Sequence, residues 1–199
     1  MENNVTPIDS RYIPFTQQPA CCVPTCFQMV MYRHNIPLIP AEKIGYYLGL
    51  TVHPDRAYLF YSVRTSINKP PAGYVTRIYD PEYEPNIFFK KFNIPLNFNK
   101  IPITKVKSPE DILGYLKKVE TVDKDVLLCF HHGTLINDPD KDWGHVCVFD
   151  RIIDGKIRII DPSPDYPKWR LVEINKMFEA MVKHGEQRSA GFWELELNR

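Results

Sequence analysis

The sequence predicts an α+β fold, on three observations. Helical apolar stripes dominate the first half of the chain, strand-like runs dominate the second, and an amphipathic segment near the end supplies a helix to pack on the sheet those runs would form. Strands do not alternate with long helices, so a parallel doubly wound sheet is not expected. With 199 residues, 44% apolar and 25% charged, residues 1–199 are read as one well-cored globular domain.

The elements follow in order. Residues 23–33 carry Cys26, Phe27, Val30 and Met31 at helical spacing, and Pro24 fits the first turn, where its missing N–H is not needed. A second helix is expected over Ala41–Tyr47, after Pro40. Residues 51–107 are the least legible. Tyr58, Leu59, Phe60 and Tyr61 suit a short strand or a short helix, and Pro70, Pro71, Ala72 and Gly73 read as a loop. Residues 86–92 read as a short helix and 96–103 as a strand broken by Pro102.

Ser108, Pro109, Glu110 and Asp111 mark a helix start: a cap, a first-turn proline and two acids at the positive end of the dipole. Ile112, Leu113, Leu116 and Val119 give that helix its apolar face. Residues 125–130 form a buried strand. Asp154 and Gly155 signal a hairpin between strands at 146–151 and 157–160. Residues 171–184 are amphipathic, with Ile174, Met177, Phe178 and Met181 on one side, and 192–195 close the chain as a last strand.

Composition excludes several classes. Net charge is +1, with no basic stripe, so nucleic acid is not an expected partner. Met1 to Pro7 lack the apolar core of a signal peptide, and no apolar stretch is long enough to span a bilayer. Five cysteines, three of them at 21, 22 and 26, suit a reducing compartment better than a disulfide scaffold, which points to the cytoplasm. Cys129 and Cys147 read as buried small hydrophobes. Paired C-x-x-C spacing is missing, so neither a structural metal nor a cofactor is expected.

The chemistry concentrates in three residues. Cys22 stands at a helix start, His145 follows Gly144 at the mouth of a strand, and Asp161 precedes Pro162. A thiol becomes a nucleophile when deprotonated, and a helix N-terminus and an imidazolium both stabilise the thiolate. Rivals are weighed beside each. Cys21 is next to Cys22 and Cys26 one turn on reads as core; His131 and His132 read as loop residues, either of which could line a cleft. A metal held by His131, His132 and His145 has no supporting ligand spacing. His34, His53 and His184 have no context that suggests chemistry.

Cys22, Val23, Pro24, Thr25, Cys26, Phe27, Gln28 and Met29 form a Cys-x-Pro-x-x-x-x-Met pattern that resembles the Cys-Gly-Pro-Ala motif of the double-glycine-leader (bacteriocin-processing) peptidases, within the papain-like cysteine peptidase superfamily. Gly144 and His145, then a strand, an Asp-Gly turn, a strand and Asp161-Pro162, look like that family's second block. The resemblance implies a papain-like α+β fold, with the nucleophile helix packed on a C-terminal antiparallel sheet. It also implies Cys22 as nucleophile, His145 as general base and acid, Asp161 as the group orienting the imidazole, and a glutamine before the cysteine in the oxyanion hole. Gln17 is favoured there and Gln18 is the alternative, the family spacing being about one residue longer. Val23 replaces a glycine common in the family.

Strand parity tests Asp161. A two-residue Asp154–Gly155 turn pairs Asp161 with Val148, on the face opposite His145. A three-residue loop or a bulge restores the face, nominally opposite Phe149, about 13 Å along a flat strand from His145. Asn137 and Asp142 are fallback orienters. The expected activity is cleavage of peptide or isopeptide bonds in a peptide or protein substrate, through a Cys22 thioester. The alternatives are an acyltransferase or amidase using the same site, and a non-catalytic binding module retaining the fold.

Overall fold

A computed structural model describes residues 7–70 and 73–198. The reading of residues 1–6 as no signal peptide lies outside the described residues, as do Pro71 and Ala72 of the expected loop.

Helix α1 spans Cys22–Arg33 and α2 spans Ala41–Tyr47. Short strands β1 (Thr51–Val52) and β2 (Arg64–Thr65) pair in parallel, with a short 3-10 helix, Pro54–Leu59, between them. Then come α3 (Pro85–Lys91), β3 (Leu96–Pro102), α4 (Pro109–Thr121), β4 (Asp125–His131) and α5 (His132–Ile136). Strands β5 (Gly144–Ile153), β6 (Lys156–Ile160) and β7 (Trp169–Val172), helix α6 (Ile174–His184) and β8 (Gly191–Leu197) complete the order. Strands β3 to β8 form one antiparallel sheet in the order β3-β8-β4-β5-β6-β7. The last strand is therefore interior, between β3 and β4.

The sheet separates two apolar clusters. On one face α1, α2 and α3 pack over Leu127, Cys129, Val146, Val148 and Trp193. On the other, α4 and α6 pack over Leu128, Phe130, Cys147, Phe149 and Ile159. Period-2 alternation along β4 and β5 sends successive side chains to opposite clusters, which is why both strands are buried almost throughout. The Ser108 cap forms as read: Ser108 accepts from Asp111 N–H while Asp111 accepts from Ser108 N–H, a reciprocal capping box.

Two readings are corrected. Residues 171–184 are not one amphipathic helix: Trp169–Val172 is a strand pairing β6, and the helix begins at Ile174. His131 and His132 are not loop residues. His131 ends β4, His132 opens α5, and both are buried. The His131 ring accepts from Thr134 N–H and contacts Asp142, capping the helix that follows.

The β5–β6 hairpin settles the parity question. Its turn is the two-residue one, with φ of 49° at Asp154 and 79° at Gly155, so Ile153 pairs Lys156. Register then shifts between Phe149 and Arg151, leaving Asp150 as one extra residue in β5. Phe149 pairs Ile159 and Val148 pairs Ile160, so Asp161 continues opposite Cys147, on the same face as His145. The bulge lies on the His145 strand, which brings Asp161 two positions closer to His145 than a nominal partner at Phe149 would.

Candidate active site

Cys22 is the first residue of α1, with Cys21 at the cap position and no side-chain cap. No acidic residue occupies the first turn, so the positive end of the helix stays uncompensated there, as an anion at the helix start requires. Ala20, with φ of 61°, belongs to a tight turn in which Cys21 N–H donates to Gln18 C=O; this turn delivers the chain into the helix. Cys22 is 6% exposed, whereas Cys21 is fully buried. Burial pushes the Cys21 thiol up to about 12, with Cys22 and Glu42 adding to it. Cys26 packs under the helix with its thiol toward Val146 C=O at 3.4 Å, as the core reading expected.

His145 reaches the site from the other side of the sheet. Its neighbours Val146 and Val148 face α1, while Cys147 and Phe149 face α6. At the mouth of β5, Cys22 and His145 both line one narrow cleft with Val23, Cys129, Trp193, Val75 and Ile78. Gly144 makes room there: a Cβ at this position would lie 2.5 Å from the His184 ring.

His145 Nε2 donates to Asp161 Oδ1 at 2.7 Å. Asp161 is fully buried; its carboxylate accepts two more hydrogen bonds and its backbone N–H donates one. Ser163 N–H donates to Oδ1 at 2.9 Å, Arg170 Nη1 donates to Oδ2 at 2.8 Å, and the Asp161 N–H is fixed to Lys168 C=O. Burial opposes the Asp161 charge, but His145, the Ser163 amide and Arg170 outweigh it and hold the carboxyl well below the usual range. Burial likewise opposes an imidazolium at His145, yet Cys147 and Asp161 beside the ring raise it above the ordinary imidazole range. The Cys147 thiol is itself pushed up to about 12 by burial, so near neutral pH the charge that favours the imidazolium is that of Asp161.

Around this pair lies a ring of aromatic groups. His132 meets His145 edge-on at 4.8 Å and contacts Trp143 and Tyr166; Phe130 packs at 5.8 Å. Burial and the neighbouring His145 lower His132 to about 3, so it is a neutral ring at physiological pH. Gln17 is anchored by its N–H to Pro162 C=O at 2.9 Å, one residue beyond Asp161, and its side-chain oxygen is buried without a hydrogen-bond partner. Gln18 is exposed.

The structure thus gathers Cys22 and His145 on one cleft, pairs His145 with Asp161, and sets Gln17 beside the Asp161–Pro162 turn. Cys22 makes no hydrogen bond to His145 among the described residues; the ring is engaged by Asp161 with Cys147 beside it. Asn137 caps α5 in a left-handed conformation and Asp142 contacts His131, so neither faces the ring. His145, Cys147 and Asp161 place potential metal-ligating atoms within 4.8 Å of one another, among the described residues. Both Asp161 oxygens already accept hydrogen bonds, one of them from the cationic Arg170, so the trio reads better as a hydrogen-bonded relay.

Sequence reasoning missed Arg170, Ser163 and His184. Arg170 sits on β7, just before the segment read as amphipathic from Leu171, and its place opposite Ile159 depends on a hairpin that the proline-rich run at 162–167 conceals. His184 is buried in the cleft wall, contrary to the view that it has no relevant context. The wall formed by Val75, Thr76, Ile78 and Tyr79 comes from the illegible segment.

No family model matches the chain, and no curated protein matches it in sequence. A crystal structure from Bacillus anthracis, assigned as a C39-like peptidase, matches it with a TM-score of 0.53 and 16% sequence identity, over 92% of this chain and 94% of that one. The fold is the papain-like one. At that identity the likeness speaks for the fold alone, and it agrees with the mixed helix and antiparallel sheet described above. Among the described residues, no helix is long and apolar enough to cross a membrane.

Proposed function

We propose that this papain-like fold works as a cysteine peptidase with Cys22 as nucleophile, His145 as general base and acid, and Asp161 as the orienting carboxylate. The observation that carries the reading is His145, bonded to the buried Asp161 at 2.7 Å and lining one cleft with Cys22. Asp161 holds Nε2, which leaves Nδ1 to exchange a proton with Cys22. Cys22 Sγ attacks the substrate carbonyl, and the uncapped first-turn N–H groups with the Gln17 amide stabilise the oxyanion. His145 then protonates the leaving amine, giving a thioester, and activates water to release the acid. Cys147 lies beside the same ring, so in this reading the imidazole turns toward Cys22 when substrate binds, as catalytic contacts commonly tighten only in the complex.

The test is hydrolysis of a mixed peptide library by the wild-type protein and by C22A, read by mass spectrometry. Cysteine-dependent cleavage supports the reading; cleavage that persists in C22A, or none by the wild type while Cys22 still alkylates rapidly, speaks against it. Adding a primary amine and looking for amide products separates transfer from hydrolysis.

A further inference from the structure

We propose that Arg11 and Asp150 are positioning residues: together with Arg158 they fix the β5 bulge that turns Asp161 toward His145. This rests on the proposed role of Asp161, but its physical content is separate. A bulge interrupts the ladder and strands backbone carbonyls that must find other donors. Here one guanidinium takes them. Arg11 Nη2 donates to Phe149 C=O at 3.2 Å and Arg11 Nε to Asp150 C=O at 3.0 Å.

The bulged residue is itself anchored from two sides. Asp150 is fully buried; its Oδ1 accepts from the Arg11 N–H at 3.0 Å and its Oδ2 from Arg158 Nε at 2.7 Å. Arg158 stands on β6 opposite Arg151, immediately beyond the shift, and also binds Asp9 at 3.0 Å. Segment 9–11 therefore straps the bulge to both strands. Were Asp150 paired in a regular ladder rather than bulged out of it, the two-residue turn would set Asp161 against Val148, on the wrong face. A buried carboxylate held by the Arg11 amide and the Arg158 guanidinium is a costly way to stabilise a hairpin, and removing Arg158 would leave an uncompensated charge. Its structural result is the register of the end of β6, Ile159 and Ile160, and with it the face on which Asp161 stands.

The experiment is an NMR titration of the His145 ring, assigned by comparison with H145A, in D150A, R11M, D161N and the D150A/D161N double variant. The titratable groups around that ring are Asp161, Cys147, His132 and Cys129, with Cys22 on the same cleft; none is substituted in D150A or R11M, and only Asp161 is expected to change place. Loss of a carboxylate at this range lowers an imidazole by about 1 unit or more. D150A and R11M are each expected to lower the His145 midpoint in the direction of D161N, and the double variant to fall no further than D161N alone. A chain lacking residue 150 keeps the parity of Asp161 without a bulge and is expected to titrate near wild type. A general loss of stability would reproduce neither the non-additivity nor this rescue. If D161N moves the midpoint and D150A and R11M do not, or if the double variant is additive, the inference is overturned alone. If D161N leaves the midpoint in place, the proposed role of Asp161 falls and the inference with it.

Discussion

His145 and Asp161 lie in hydrogen-bond contact, 2.7 Å apart, although a regular hairpin with their turn would place them on opposite faces of the sheet. The contact exists because Asp150 is left unpaired in β5 between them. The pairing thus depends on an irregularity of the ladder, the kind of feature that re-aims a side chain.

Thiol selectivity is the first expectation. Brief iodoacetamide treatment near neutral pH, mapped by mass spectrometry, should label Cys22 ahead of the other four cysteines. Cys21 is fully buried and its thiol is pushed up to about 12, and Cys26, Cys129 and Cys147 are buried and raised as well. Labelling led by Cys21 would move the nucleophile by one residue.

Histidine substitutions should separate roles. H145A is expected to abolish peptide turnover. H131A and H132A should retain part of it, because His131 caps α5 and His132 is a neutral packing ring. Turnover assays on the folded variants decide this, and a loss in H131A or H132A equal to that in H145A would displace His145 as the base.

Gly144 is expected to admit no side chain while His184 is present. G144A drives a Cβ to within 2.5 Å of the His184 ring, an overpacking that costs roughly 1–3 kcal/mol and displaces the strand mouth carrying His145. The double variant G144A/H184A should recover much of the lost stability and Cys22 alkylation rate. Denaturant melts with alkylation kinetics check it; additive losses would show that the two positions do not compete for space.

Acid should destabilise the fold through buried neutral histidines. Burial, and the charge of His145, lower His132 to about 3, while burial and Arg188 lower His184 to about 4. Both values lie below the ordinary imidazole value of about 6.5, so in this window the unfolded chain binds more protons than the folded one. Stability should fall as pH drops from about 6.5 toward 4, by up to about 1.4 kcal/mol per pH unit for each group. His145 works with the opposite sign: it is raised, so its contribution is complete below about 6.5 and is lost as pH climbs through its folded value. Urea midpoints measured across this range should show a shallower slope in H132F; an unchanged slope would mean His132 is charged in the fold.

Much of this was legible in the sequence, and for physical reasons. The α1 stripe, the α4 cap and the Asp154–Gly155 turn are local signals, and each appears where its residues place it. The order Cys22, His145, Asp161 is equally plain. The bulge was legible only as a condition, because parity demands a correction without saying where it sits. Arg11 lies 139 residues from Asp150, and no local pattern announces such a contact. Arg170 was hidden because Trp169–Val172 is too short for alternation to distinguish it from the helix that follows. The described residues of 51–83 form only two-residue strands and short 3-10 helices, so they carry no periodic signal, yet Val75 and Ile78 from their midst wall the cleft.

The central claim, that His145 activates Cys22, is tested most directly by the rate of Cys22 alkylation as a function of pH in the wild type and in H145A. The account predicts that the wild type alkylates rapidly at and below neutral pH, where His145 is an imidazolium, and that H145A loses this limb and reacts only as the solution becomes alkaline. Superimposable profiles for the two proteins would contradict it.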